Sequence, residues 1–470
     1  MNTQRLLQKS KRFMQLVGES IRGTEYDFTK IRLGKAILIL SVPMILEMLM
    51  ESVFAIADIW FVSSLGDEAI ATVGVTESLN TIIYAIGFGL STAITALVSR
   101  RIGEKQPEKA ARSAGQAMSL AVIISAVIAV PTALHAREIL QLMGLSARMA
   151  AEYSSYTAII LGSNTIVMLL FVNNAIFRSA GDAAISMKVL WLANLLNIIL
   201  DPCLIFGLGP FPELGIKGAA IATSTGRGVA VLWQLILLFR GNGRIKIRTS
   251  YLVPSSGKIL TLLNLAWSAV LQNLIGTASW LALMRIMSQF GSEVLAGYTI
   301  AIRVIMFCLL PSWGISNAAS TLTGQNLGAG RPDRAEKAVW TTGLVNVIML
   351  GVISLLLILV PEFFIRLFTD QPGILQPGAG GLRIVGYGMV AYGLGMVMHQ
   401  AFNGAGDTRT PLVLNLISFW VIEIPLAWWL AIHLDMKEMG VFYAILIAES
   451  TLTLLGVWMF RRGRWKGKLI

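Results

Sequence analysis

The sequence predicts an all-α integral membrane protein in which twelve transmembrane helices form two pseudo-symmetric lobes of six. Three observations predict this fold class: a strongly apolar composition, apolar segments that recur along the whole chain, and an internal repeat. Hydrophobic residues make up 55% of the 470 residues, and charged residues only 14%. The mean hydropathy of +0.70 is too high for a soluble chain of this length.

Apolar segments of roughly 20 residues or more are long enough to cross about 30 Å of hydrocarbon. The first six predicted helices span residues 36–62, 68–99, 110–133, 150–177, 185–207 and 216–239. The second six span residues 259–287, 293–323, 338–360, 380–402, 411–433 and 440–460. These helices leave no stretch for a soluble catalytic or nucleotide-binding domain.

The segments outside the helices divide the chain into five expected parts. In order, these are a cytoplasmic basic segment (1–35), an N-lobe (36–240), a cytoplasmic link (241–258), a C-lobe (259–460) and a cytoplasmic basic tail (461–470). The first segment lacks an apolar core next to its start, so it is not a cleavable signal peptide. A helix lying on the cytoplasmic membrane surface is one interpretation of it, and a disordered tail is the other.

The formal net charge of +12 comes from Lys and Arg residues in the short links between apolar segments. They do not form one solvated basic face, so we expect the lipid bilayer and no nucleic acid as a partner. The basic residues concentrate in alternate links, which places both termini in the cytoplasm by the positive-inside rule. The sequence therefore predicts a multi-pass protein of the cytoplasmic (inner) membrane.

The two halves of the chain repeat each other with a constant offset of about 225 residues. The matches are LGDEAIA (65–71) with FGSEVLA (290–296), GLSTAITAL (89–97) with GISNAASTL (314–322), and AGD ending at Asp182 and Asp407. Six is an even number of helices, so both copies enter the membrane in the same orientation, and a pseudo-two-fold axis should lie along the membrane normal. This architecture is typical of transporters, and we expect a monomer.

An acidic stripe lies on the first predicted transmembrane helix. Glu47, Glu51 and Asp58 fall within about 40° of one another around a helix axis. An ionisable side chain inside a bilayer costs several kcal/mol unless it is paired, protonated or hydrated, so each is a functional candidate. The alternative for Asp58 is that it only solvates the outer end of the helix.

The fifth helix carries a second polar face. Asn194, Asn197 and Asp201 follow at spacings of three and four residues, and Pro202 weakens the helix beside them. Amide and carboxylate oxygens are hard ligands, which suit sodium or a proton relay better than a soft transition metal. Hydrogen bonding between helices by the asparagines is the structural alternative.

Further charges lie in the predicted membrane segments. Glu77 and Arg303 nearly coincide under the repeat, so a pair across the two lobes is one hypothesis and separate local partners are the other. Arg227, Glu423 and Glu449 are other intramembrane charges.

The order of several motifs resembles the multidrug and toxic compound extrusion (MATE) family over nearly the whole chain. The motifs are SVP and ADIWFVSSLG on helix one, GFGLSTAITALVSRRIG, NAIFRSAGD, NIILDPCLIFG, GAAIAT, GQNLGAG and NGAGDTRTP. The resemblance implies a V-shaped pair of lobes, alternating access, and export of organic, mostly cationic compounds in exchange for protons or sodium ions. It implies no other cofactor and no catalytic residues.

The resemblance also implies which side chains bind the coupling ion. The four residues at the family's N-lobe positions are Asp58, Asn197, Asp201 and Thr223. Candidates for the substrate cavity are Glu47, Glu51, Asn194, Gln272 and Glu423. The second half departs from the family, since Gln272 stands at the place symmetric to Glu47 and helix ten carries no carboxylate, so Glu423 is a hypothetical substitute.

Two other functions compete with efflux. A lipid-linked oligosaccharide flippase of the related superfamily would need a cationic cavity for pyrophosphate, which the acidic stripe argues against. An integral-membrane enzyme is disfavoured because no HExxH, GxSxG or metal-ligand spacing occurs, and both Cys203 and Cys308 lie inside apolar segments. The choice between proton and sodium coupling, and the physiological substrate, stay open at this stage.

Overall fold

The computed structural model describes residues 2–23, 26–241 and 243–470. Within these residues every regular element is a helix, and twelve spans are long and apolar enough to cross a membrane. The prediction of an all-α chain with twelve transmembrane helices is confirmed.

The helices of the first half begin with an N-terminal helix that precedes the first span. They are α1 (Asn2–Arg22), α2 (Leu33–Ser63), α3 (Asp67–Gly103), α4 (Pro107–Leu134), α5 (Ala136–Leu142), α6 (Ala147–Gly162), α7 (Asn164–Ala180), α8 (Ala183–Phe206) and α9 (Ile216–Arg240). The predicted helix over 150–177 is interrupted at Ser163, whose hydroxyl accepts a hydrogen bond from Ser224 at 3.0 Å. The local signal of the break is the run Gly162, Ser163 and Asn164, which are residue types common in turns, although apolar residues flank it on both sides.

The second half follows the same plan. Its helices are α10 (Ser256–Met287), α11 (Ser292–Gly328), α12 (Pro332–Leu359), α13 (Pro361–Arg366), α14 (Pro372–Ala405), α15 (Arg409–Asn415), α16 (Ile424–Trp428) and α17 (Lys437–Arg461). The tenth span begins at Pro372 rather than at residue 380, because proline fits the first turn of a helix, where no backbone donor is needed. The eleventh span, Arg409–His433, contains π-helical turns at Leu416–Glu423 and Trp429–His433.

The AGD repeat is a helix stop. Gly181 ends α7 and Gly406 ends α14, with φ angles of 95° and 82° in the left-handed region. Glycine adopts this conformation without the strain that a Cβ atom would cause, and it is a common way to end a helix. The repeated motif therefore marks equivalent chain reversals in the two halves.

The described chain packs as two units. The first contains residues up to Tyr26 together with Leu46–Ala266, and the second contains Asp27–Ile45 together with Trp267–Ile470. The predicted lobe bounds of 36–240 and 259–460 stay a prediction. The N-terminal segment is helical from Asn2 to Arg22, which favours the helix over a disordered tail.

The segment after α9 is attached to α4 within the first unit. The side-chain amide of Gln116 donates to the carbonyl oxygens of Tyr251 at 2.7 Å and Val253 at 2.6 Å. Its oxygen accepts from the backbone N–H of Ser255, also at 2.6 Å. A Cβ atom at Gly115 would lie 2.8 Å from the Tyr251 carbonyl, so glycine permits this close approach.

The C-terminal tail packs onto the second unit. The Trp465 ring is buried and stacks on Phe460, with 4.6 Å between ring centroids, while its N–H donates to the Phe460 carbonyl at 2.9 Å. The Lys466 ammonium lies 2.6 Å from Glu336, and this hydrogen bond raises the pKa of Lys466 above its ordinary value. Lys468 lies 3.6 Å from Asp407. The tail is thus part of the folded unit.

Replacing Trp465 by alanine should destabilise this unit. Removal of a fully buried tryptophan ring costs about 3 kcal/mol or more, because the cavity is only partly refilled. We expect Trp465→Ala to lower the apparent melting temperature of the detergent-solubilised protein by several degrees. Trp267, which is 66% exposed, gives the matched control Trp267→Ala. Equal melting temperatures for the two variants would contradict a packed tail.

Candidate functional site

A buried polar cluster joins α8 to α9 in the first unit. Asp201 is 0% exposed, Asn197 2% and Thr223 9%. With the Asn197 amide oriented by its partners, its nitrogen donates to Asp201 Oδ2 at 2.8 Å. Its oxygen accepts from the Thr223 hydroxyl at 2.9 Å and from the Thr223 backbone N–H at 3.0 Å. Three residues that the sequence placed in an ion site therefore share one hydrogen-bond chain.

The close approach of the two helices positions this cluster. A Cβ atom at Gly226 would lie 2.6 Å from the Ala193 carbonyl oxygen, so α8 and α9 approach more closely there than any larger residue permits. Gly218 makes a similar approach to the Leu204 carbonyl. Gly226 lies less than one turn from Thr223 and so sets the distance that the Asn197 amide bridges.

Asp58 of α2 faces the same region of the first unit. Its side chain is half-buried, and its carboxylate interacts electrostatically with those of Asp201 and Glu77. All four residues that the sequence assigned to ion binding thus belong to one unit. Their role as an ion site stays a prediction.

The other two acids of the α2 stripe have their own partners. Glu47 is 2% exposed and forms a salt bridge with Arg178, with Nη1 and Oε1 2.9 Å apart. Glu51 accepts a hydrogen bond from the Asn194 side-chain amide at 3.1 Å. Each acid of the stripe therefore meets a different chemical environment: a guanidinium at Glu47, an amide at Glu51 and other carboxylates at Asp58.

Arg227 belongs to the region, although the sequence argument did not assign it to the site. Its guanidinium hydrogen-bonds the Tyr84 side chain and interacts electrostatically with Glu51 and Glu77. It also lies 5.7 Å from the centroid of the Phe54 ring. The available signal was its position one helical turn after Thr223 on α9. Glu51, Glu77 and Asp58 interact electrostatically with this cation, and Asp201 interacts with Asp58. When these four carboxylates are ionised, the region carries an excess of negative charge.

The hypothetical pair of Glu77 and Arg303 involves both packing units. Glu77 accepts a hydrogen bond from the Asn80 side chain at 3.3 Å within its own unit. Arg303 is exposed and belongs to the second unit. The pairing stays a prediction.

In the second unit, Gln272 has neutral partners. Its nitrogen donates to the Thr408 carbonyl at 2.7 Å, and its oxygen lies 2.9 Å from His399 Nε2. Asn403 completes the group, with its amide nitrogen 3.3 Å from the Gln272 oxygen. Under the repeat, Gln272 and Asn403 stand where Glu47 and Arg178 stand in the first half, so an amide contact replaces the salt bridge.

Glu423 lies in a separate part of the second unit. It is 3% exposed and accepts a hydrogen bond from the Ser279 hydroxyl at 2.5 Å. It ends the π-helical stretch that precedes Pro425, where proline removes a backbone donor from the helix. Glu449 of α17 interacts electrostatically with Glu423. The structure thus places Glu423 near a second acid rather than near Gln272's partners.

Comparison with known proteins identifies the family. The sequence model of the MatE family matches residues 43–203 and 268–429, two stretches that begin with the same offset as the internal repeat. The chain belongs to the MatE family. This membership confirms the resemblance, and it confirms that the protein is a membrane transporter and not an enzyme.

Relatives in this family cover nearly all of the chain. A probable multidrug resistance protein NorM of Thermotoga maritima is 26% identical over 440 residues, 93% of this chain and 94% of the relative. An FAD transporter of Shewanella oneidensis is 27% identical over 399 residues, 84% of this chain and 87% of the relative. Efflux of small molecules by a MATE transporter is therefore the supported activity at the level of the family.

Solved structures give the same result for the fold. The crystal structure of a MATE protein in complex with MaL6 aligns with a TM-score of 0.88 and 25% identity, covering 95% of this chain and 100% of that chain. A MOP superfamily transporter from Pyrococcus furiosus, described as having a binding pocket of reverse polarity, aligns with a TM-score of 0.86 and 25% identity, covering 94% and 98%.

The packing at Gly226 can be tested by adding one methyl group. Gly226→Ala places a Cβ against the Ala193 carbonyl, and such overpacking costs about 1–3 kcal/mol. We expect a lower melting temperature and loss of transport, because α9 and Thr223 must move away from Asn197. Gly228→Ala is the matched control, since its Cβ would make an ordinary contact of 3.6 Å with Ile166. If both variants transport like the wild type, close helix approach is not what positions the cluster.

Proposed function

We propose that this transporter is a secondary active antiporter that exports organic, mostly cationic amphipathic compounds in exchange for protons or sodium ions by alternating access. The observation that carries the proposal is the fully buried Asp201, which accepts a hydrogen bond from the neutral Asn197 amide and faces the Asp58 carboxylate rather than a cation. No resident cofactor is required beyond the coupling ion.

The physical basis is the cost of a buried bare carboxylate. Moving an ionised carboxylate out of water is so unfavourable that the group instead takes up a proton or binds a cation. Asn197 and Thr223 add neutral oxygen atoms beside Asp201, which are the hard ligands that sodium accepts. The same group can hold either a proton or a sodium ion.

Exchange follows from competition for the same negative charge. An ion bound at Asp58 and Asp201 lowers the excess of negative charge and weakens the attraction for an organic cation. Loss of that ion restores the attraction. If ion and substrate favour opposite arrangements of the protein, their mutual exclusion is sufficient for antiport.

The excess of carboxylates over basic residues in this region also argues against the alternative functions, which involve anionic substrates. A lipid-linked oligosaccharide flippase must hold a pyrophosphate, and a region with four carboxylates and one guanidinium would repel it. The same argument makes an anionic compound such as FAD a poor substrate here. We further propose that the chain acts as a monomer in the cytoplasmic (inner) membrane with both termini in the cytoplasm.

Transport assays in vesicles test the proposal. A proton gradient and a sodium gradient are imposed separately on vesicles that contain the purified protein. We expect one of the two gradients to drive ethidium movement, and that gradient identifies the coupling ion. Asp58→Asn and Asp201→Asn should each reduce this movement to the level of vesicles without protein. An amide carries no negative charge, so it neither takes up a proton nor attracts a sodium ion as a carboxylate does.

An exposed acid provides the control. Asp370→Asn alters a carboxylate that is exposed, and this variant should transport like the wild type. Ethidium movement that needs neither gradient, or that survives both Asp58→Asn and Asp201→Asn, would contradict ion-coupled antiport at this cluster.

A further inference from the structure

A basic cavity lies in the second unit, between the start of α2 and the start of α12. Its volume is about 460 Å³, and it is lined by Leu33 on one side and by residues 330–334 and Lys337 on the other. Its basic residues belong to the second half of the chain, whereas the residues of the proposed ion site belong to the first half. Arg331, Arg334 and Lys337 supply three positive charges to its wall.

The cavity has a fixed wall, because the segment before α2 is held by the same arginines. Arg331 donates to the Thr29 carbonyl at 2.8 Å, and Arg334 donates to the carbonyl of Ile31. Phe28 is 0% exposed beside them. Asp27 accepts a hydrogen bond from the Thr29 backbone N–H at 3.0 Å and so closes the turn. The arginine side chains are therefore positioned before any ligand arrives.

Two carboxylates lie near the basic residues of the cavity, and each also meets another cation. Asp27 interacts electrostatically with Arg334 and lies 3.8 Å from the Lys30 ammonium. Asp333 is the acidic residue of the lining, and its carboxylate lies 3.5 Å from the Lys466 ammonium. Lys337 is exposed and forms no ion pair within the described part of the chain. The start of α12 adds the partial positive charge of a helix N-terminus. The cavity thus keeps a net positive charge.

The equivalent place in the first half lacks this arrangement. Under the repeat, Gln106 stands in place of Arg331, and Lys109 and Arg112 stand in place of Arg334 and Lys337. There Glu108 forms a salt bridge with Arg112 at 2.8 Å. The duplication therefore provides an internal comparison: the acid of the first copy pairs with a basic residue of its own helix, whereas Asp333 of the second copy pairs with Lys466 of the C-terminal tail.

The location of the cavity indicates the kind of ligand. Both α2 and α12 are membrane spans, so the first residues of each lie where the helix enters the membrane, at the depth of the lipid headgroups. Basic pockets between membrane helices suit phosphate-bearing headgroups. We propose that this cavity binds the phosphate group of an anionic phospholipid, held by Arg331, Arg334 and Lys337. The site is independent of the proposed antiport.

Titration of the purified detergent-solubilised protein with phosphatidylglycerol and phosphatidylcholine, followed by native mass spectrometry, tests the site. Each basic side chain near a membrane surface strengthens binding of an anionic lipid by roughly fivefold. Lys337→Gln, which breaks no ion pair within the described chain, should weaken phosphatidylglycerol binding by about fivefold, and Arg331→Gln with Lys337→Gln by about 25-fold. Binding of phosphatidylcholine should not change.

The equivalent place in the first half supplies the matched control. Lys109→Gln with Arg112→Gln removes the same amount of charge there and should leave phosphatidylglycerol binding within about twofold of the wild type, because Gln106 stands in place of Arg331 and Glu108 already pairs with Arg112. Equal losses in the two double variants would overturn the proposal. Displacement of the bound lipid by millimolar inorganic phosphate would also overturn it, since the site would then take a soluble anion.

Discussion

A carboxylate inside a membrane must be compensated, and the first unit compensates its acids in several ways. Glu47 contacts the guanidinium of Arg178, and Glu51 contacts an amide and interacts with the charge of Arg227. Within the described residues, Asp201 accepts from the amide of Asn197 and forms no ion pair. The salt bridge of Glu47 already compensates its charge, so binding of a further cation there would be only weakly favourable. An amide leaves the negative charge uncompensated, so under the proposed function Asp201 is the acid at which a bound proton or sodium ion should be stabilised most.

The two halves of the internal duplication share their helix boundaries but differ in their charged contacts. Both halves reverse direction at the glycine of AGD and begin α4 and α12 with proline at the first turn. The charged contact between Glu47 and Arg178 nevertheless becomes an amide contact between Gln272 and Asn403 in the second half. The arrangement of the helices is thus repeated, whereas the salt bridge is not. The exchange removes one acid and one base together, so the net charge at this place is the same in both halves.

Much of the fold could be predicted from the sequence, because a membrane span needs a long apolar segment and such segments can be located from the order of the residues alone. Periodicity likewise predicted that Asn197 and Asp201 share a face, and the family resemblance supplied Thr223. Two features depend on contacts between helices: the place of Arg227 beside Tyr84 and the close approach at Gly226. Spacing along one helix carries no information about those contacts. For the same reason the sequence could not separate Glu47, which forms a salt bridge at 2.9 Å, from Asp58, which interacts with Glu77, Asp201 and Arg227.

The central claim is that one buried group of carboxylates binds the coupling ion and attracts the organic cation in turn. The most direct test is to count ions released when ethidium binds to the purified protein, by a pH indicator for protons and a sodium-sensitive dye for sodium. We expect one ionic species to be released in proportion to ethidium bound, and Asp201→Asn to abolish the release. Ethidium binding that is independent of both pH and sodium concentration would contradict the account.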